Sequence, residues 1–299
     1  MSEQITTIED YLERLRQELA GSDPALVQDA LYDAEEFLRN ASSGAGGAAA
    51  GEAERLSQVL DRFGSPREVA EAYRETEVKV AKALAPPLSR RGKSALGPIF
   101  GVLADPRAYG SLLYQFLSLI TGILYFTWAV TGLSLSLGLS VLIFGLPFFV
   151  LFCASVRALS LIEGRLVESL LGVRMPRRPL HADTGRSLLA RARWLVTDRR
   201  TWSTLLYMVL KLPLGILSFT LFTVLLVISL ALLASPFAQL LFDIPLISIS
   251  EVHYYLPLWS FPLVWIAAIF DLLVVLHLAR LAGRVHGALA KSMLVGARA

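Results

Sequence analysis

Residues 209–235 read VLKLPLGILSFTLFTVLLVISLALLAS, an apolar run broken by one charge, Lys211. Crossing the hydrocarbon core of a bilayer takes about twenty such residues. Three more runs of this kind lie near residues 112–132, 138–157 and 258–279. The expectation is an all-α protein with four transmembrane helices. With 55% hydrophobic residues and a mean hydropathy of +0.56, the 299-residue chain is richer in apolar residues than a soluble protein.

The apolar residues are unevenly spread. Up to Pro86 the chain carries seventeen Asp/Glu against nine Lys/Arg, and from Pro87 onward eight against nineteen. The halves therefore differ in sign, −8 and +11, and the basic pI gives no reason to expect nucleic acid as a partner. The first residues are acidic and polar, so no secretory signal is expected. Cys153, the only cysteine, lies in an apolar run and reads as a small core residue.

The first 85 residues predict a soluble four-helix domain. Ile5, Ile8, Leu12, Leu15 and Leu19 form one helical stripe, with Thr7 and Asp10 as a capping signal. Val27, Ala30, Leu31, Ala34, Phe37 and Leu38 form a second, ahead of a Gly-rich connection at residues 42–47. Leu56, Val59, Leu60 and Phe63 form a third, which Gly64 can close. Ser65-Pro66-Arg67-Glu68 is a capping box with Pro in the first helical position, opening a fourth helix. Residues 86–97 read as a linker and 98–299 as the membrane domain.

The membrane half reads as two tandem hairpin repeats, about 105–172 and 198–294. Asp105 to Tyr114 matches Asp198 to Tyr207, and Gly122 to Thr127 matches Gly215 to Thr220, both at an offset of 93. Gly164-Arg165 matches Gly283-Arg284 more loosely. Each repeat is expected to hold a pre-helix, a hairpin and an amphipathic tail, and parallel repeats of this kind do not suit inverted-repeat transporters. Eight Arg fall within 173–200, and more bases follow in the linker and after Arg280. The loops at 132–138 and 235–257 contain none. The positive-inside rule places both termini and the Arg-rich middle in the cytoplasm, with the spans in a bacterial inner membrane.

Two resemblances follow. Tyr11-Leu12-Glu13-Arg14-Leu15, Asp33-Ala34-Glu35-Glu36-Phe37 and the stretch Arg62 to Ala70 resemble the HAAS domain of bacterial membrane signalling proteins. That likeness implies a signalling context, no catalytic residue, and a PadR-like transcription regulator as a candidate partner. Leu113-Tyr114, Gly122 to Phe126, Gly132 to Gly138, Gly145-Leu146-Pro147 and Leu212 to Gly215 resemble the sensor domain ahead of actinobacterial histidine kinases. No kinase follows here, so a signal is expected to leave through the head or a separate protein.

Asp271 lies mid-span, where an acid costs about 2.5–3.5 kcal/mol on insertion scales. Lys211 is its expected partner, since they lie at similar depth counted from Arg200 and Arg280. The favoured role is a buried pair fixing helix register, with a protonation switch as the sharper reading. Asp243, Glu251, His253 and Tyr254 could form an outer ligand cup, against an aromatic belt as the plainer reading. His277 reads as an interface anchor, and His181 and His286 as isolated cytoplasmic residues. Residues 160–171 and 184–197 read as interfacial helices, with Arg177, Arg178, Arg186, Arg191 and Arg193 on anionic lipid headgroups. No metal or cofactor is expected, and self-association stays open. The function expected is a non-enzymatic membrane sensor relaying to a cytoplasmic partner. The rivals are an accessory subunit of a transport system and an intramembrane enzyme.

Overall fold

A computed structural model describes residues 5, 7–44, 59–60, 62–84, 97–141, 144–179, 188–249 and 251–295. Its helices are α1 (Ile8–Glu18), α2 (Pro24–Gly44), α3 (Pro66–Leu84), α4 (Pro106–Leu139), α5 (Gly145–Leu166), α6 (Leu188–Thr197), α7 (Arg199–Phe242) and α8 (Phe261–Leu294). One short turn of helix, Gly97–Phe100, and a 3-10 turn precede α4, and Val167–Leu171 ends α5 in a π turn. The linker at 86–96, Leu56, the loop glycines 46 and 47, His181 and Arg186 lie outside the described residues.

The head closes its own core. Tyr11, Leu15, Leu19, Leu26, Ala30, Ala34, Leu38, Val59 and Ala70 are buried together, with Leu12, Phe63 and Tyr73 packed against them. Local chemistry sets the ends of its helices. Thr7 Oγ1 accepts from Asp10 N, and Asp23 Oδ1 from Ala25 N. Gly64 has φ +96°, and after it Ser65 and Glu68 bond reciprocally, Ser65 N to Glu68 Oε2 at 2.8 Å and Glu68 N to Ser65 Oγ at 3.3 Å. Ser65 N and Ser65 Oγ both donate to Glu68 Oε2 and hold that carboxyl below its usual range, the backbone bond contributing most. Tyr11 fixes the corner by donating to Gly64 O at 3.0 Å.

Four helices are long and apolar enough to cross a membrane: Pro106–Leu139, Gly145–Leu171, Arg199–Phe242 and Leu258–Leu294. Their exposed positions are rich in Leu, Ile, Val and Phe, the surface that hydrocarbon requires. At about 1.5 Å per residue, the 44 residues of α7 extend about 66 Å, twice the roughly 30 Å core. The expected pre-helices and tails are partly absorbed into these long helices. Residues 106–114 are the first turns of α4, and 160–166 continue α5, so that stretch is no separate interfacial helix. α6 remains a short helix of its own.

The chain divides into two compact units. One comprises Met1–Ala85, Thr131–Tyr207 and Ala288–Ala299; the other comprises Pro86–Val130 and Met208–Gly287. In the first, helix packing leaves no room at two glycines. A Cβ on Gly132 would lie 2.0 Å from Phe152 Cε2, and one on Gly145 would lie 2.2 Å from Leu139 O. In the second, α4 and α7 cross at a reciprocal contact. A Cβ on Gly122 would lie 2.8 Å from Lys211 O, and one on Gly215 would lie 2.3 Å from Ser118 O. Small residues allow this close approach. Also in this unit, Ile247–Ile249 and Val252–Tyr254 form a two-stranded antiparallel hairpin, Ser248 opposite His253, which the all-α expectation missed.

Contacts recur at the offset of 93. Asp105 Oδ1 accepts from Arg107 N and Asp198 Oδ1 from Arg200 N. Tyr109 donates to Leu103 O, and Trp202 to Val196 O.

Gly215→Ala should lower the melting temperature in detergent, because overpacking against backbone costs about 1–3 kcal/mol. Gly138→Ala, where nothing lies within 4 Å, should not. Equal melting of the two variants would contradict the crossing.

Candidate functional site: the head on the Arg174 loop

The loop that follows α5 turns at Gly172, in the left-handed region at φ +69°, and then presents Arg174, Arg177 and Arg178. Arg174 reaches into the acidic face of the head. Its Nη2 donates to Asp29 Oδ2 at 2.9 Å and its Nε to both oxygens of Glu77 at 3.2 Å, with the side chain only 11% exposed. The other Asp29 oxygen accepts from the backbone N–H groups of Arg177 and Arg178, at 2.7 and 2.8 Å. Arg178 Nε lies 2.7 Å from Asp33 Oδ1, and Tyr73 donates to Asp33 Oδ2 at 2.9 Å. Gln28 links two partners: its Nε2 donates to Arg178 O and its Oε1 accepts from Arg200 at 2.9 Å. Lys291, near the end of α8, pairs with Asp23.

The electrostatics follow from burial and pairing. Burial opposes charge on Arg174, but hydrogen bonds to Asp29 and the fields of Asp29 and Glu77 outweigh it and hold the guanidinium above its ordinary value. Burial, then the bond to Asp33, pushes the Tyr73 hydroxyl upward.

The structure does not bring Lys211 and Asp271 together. Asp271 accepts from Ser229 Oγ at 2.6 Å, and Ser229 stands eighteen residues along α7 from Lys211, about 27 Å. Lys211, fully buried, donates to Tyr114 Oη at 2.6 Å. His286 is not isolated: it is 8% exposed, with its ring 5.9 Å from that of Tyr114. His277 Nε2 sits 3.3 Å from Ile99 O.

Asp243, Glu251, His253 and Tyr254 are all exposed. His253 bonds Ser248 across the hairpin at 2.9 Å. Among the arginines assigned to lipid, Arg177 pairs with Glu168 at 2.8 Å and Arg178 with Asp33. Arg193 is exposed and Arg191 half-buried on α6.

Sequence reasoning missed Gln28, Asp29, Arg157, Glu163, Arg174 and Arg200. Glu163, on α5, is buried and accepts from Tyr207 Oη at 2.7 Å. The run Leu161-Ile162-Glu163 was legible, but residues 160–171 had been read as an interfacial helix. Among the described residues no group of His, Cys, Asp and Glu could hold a metal ion.

Comparison with known families completes the site. The family described as "Putative sensor" matches residues 114–294, more than half of the chain. The chain belongs to the Sensor family. The head of this Sensor protein matches the HAAS family over residues 10–72. The residues that carry the docking therefore fall on both matches: Gln28, Asp29 and Asp33 on HAAS, and Arg174, Arg177, Arg178 and Arg200 on Sensor. No curated protein and no solved structure matches the chain.

A double-mutant cycle measures the dock. Asp29→Asn or Arg174→Gln alone should lower thermal stability, since breaking a buried pair costs about 3–5 kcal/mol. The double variant should be more stable than the sum of the single losses, by a coupling of about 0.5–3 kcal/mol. Additive losses would mean that the residues do not interact.

Proposed function

We propose that this sensor signals without catalysis, through reversible docking of its head on the Arg174 loop. The observation that carries the reading is the Asp29–Arg174–Glu77 network. It joins the head to the loop leaving the second span by charges rather than by a continuous apolar face. Such a network can be rearranged when the span moves, and the acidic face of the head then becomes available to a partner. The HAAS likeness offers a PadR-like regulator for that role. A transport or enzymatic reading has less support, because the convergent polar side chains gather where the head meets the loop.

The same contacts support the topology. The head touches both the 174–178 loop and Lys291, which supports one side of a membrane for all three. The density of basic residues there makes it the cytoplasmic side of a bacterial inner membrane. The tandem-repeat reading is supported by the contacts recurring at 93. It is further supported by paired ion bridges, Arg157–Asp198 at 3.3 Å and Arg280–Asp105 at 3.3 Å. Those pairs align the second helices at 280 − 157 = 123 rather than at the 119 of the Gly-Arg match, a shift of about one helical turn.

The test is co-purification of a PadR-like regulator, supplied in excess, with the full chain in detergent. Arg174→Glu should raise the amount retained at least threefold over wild type, by repelling Asp29 and Glu77 and exposing the face. Retention equal to wild type, from folded protein, would contradict the proposal.

A further inference from the structure

Beside the dock lies a small cleft of about 20 Å³, partly open to solvent. Its lining includes Gln28 from the head, Arg157 and Ser160 from α5, and Arg200, Thr201 and Thr204 from the start of α7. The charge within reach is unbalanced. Arg200 feels Arg157 and Asp198, and Arg157 feels Asp198 and the further positive charge of Arg191. Asp198 is already committed, because it accepts from Arg157, from Thr201 Oγ1 and from the backbone N–H of Arg200. Arg157 is further held against the ring of Trp194, 4.7 Å from its centroid.

Arg200 has spare capacity. A guanidinium carries five N–H donors in a fork that matches an oxyanion, and among the described residues one of those donors is taken, by the neutral amide oxygen of Gln28. The N-terminus of the 44-residue α7 lies at the same place, already capped by Asp198. We propose that the cleft binds a phosphate oxyanion, which takes the place of Gln28 Oε1 on Arg200. Hydrogen bonds from a guanidinium to a charged oxygen are about twice as strong as those to a neutral one, so phosphate outcompetes the amide. Free phosphate and the headgroup of an anionic lipid offer the same chemistry. This site does not depend on the signalling role, because Arg157, Asp198 and Arg200 all lie outside the head and keep their charges whether or not it is released.

The experiment uses the full chain in two arms. In neutral detergent, isothermal titration with inorganic phosphate at constant ionic strength measures the free ion. In phosphatidylcholine nanodiscs with and without phosphatidylglycerol, native mass spectrometry counts retained anionic lipid. The expected result is saturable binding in at least one arm, weakened at least tenfold by Arg200→Gln and tightened severalfold by Gln28→Ala, which removes the competitor. Binding in the first arm alone identifies a soluble ion, and binding in the second alone identifies a headgroup. No saturable binding in either arm, or Arg200→Gln within twofold of wild type, overturns the proposal, as does unchanged affinity in Gln28→Ala. Should Arg200→Gln not fold, Arg200→Lys keeps the charge without the fork. A weakening of at least threefold is then expected, and unchanged binding is contrary.

Discussion

Asp29 has two carboxylate oxygens, and the loop after α5 uses both. One takes the Arg174 guanidinium, and the other takes two consecutive backbone N–H groups. A carboxylate so engaged cannot be removed from the loop without leaving donors behind, and a buried guanidinium without its acid costs several kcal/mol. The position of Arg178 on Asp33, the bridge from Gln28 to Arg200 and the approach of Lys291 to Asp23 all follow once this anchor holds. The anchor is local in space and remote in sequence, Asp29 and Arg174 standing 145 positions apart.

Within the other unit the corresponding constraint is steric. Gly122 and Gly215 let the backbones of α4 and α7 touch, which places Lys211 and Ser118 at the crossing. Ser118 stands 93 residues before Lys211. Lys211 is accommodated inside the span by the hydroxyl and ring face of Tyr114.

Much of the fold was legible because its determinants are local. Four apolar runs gave four long helices, Gly64 took its left-handed turn, and Ser65 with Glu68 made the predicted cap. The dock was not legible at the level of residues, because a carboxylate and a lipid phosphate attract arginine alike. Composition still held a signal: a head of net −8 shares the chain with a segment of eight arginines. The Lys211–Asp271 pairing failed for a geometric reason. Depth was counted from Arg200 as though it marked the membrane surface, whereas α7 is far longer than a bilayer is thick. The outer-loop hairpin was not legible, because its pairing of Ser248 with His253 is set by backbone register rather than by residue type.

The central claim is that the head rests on the loop through Asp33 and Arg178 as well as Asp29 and Arg174. The most direct measurement is thiol cross-linking in native membranes. The full chain would carry Asp33→Cys and Arg178→Cys in a Cys153→Ser background, treated with a bifunctional reagent spanning about two side-chain lengths. With a disulfide in the reagent's spacer, a docked head predicts an intramolecular cross-link in most molecules, so that fragments from proteolysis between the two positions stay joined until reduction. A cross-link no more frequent than with either single cysteine would contradict the docked arrangement.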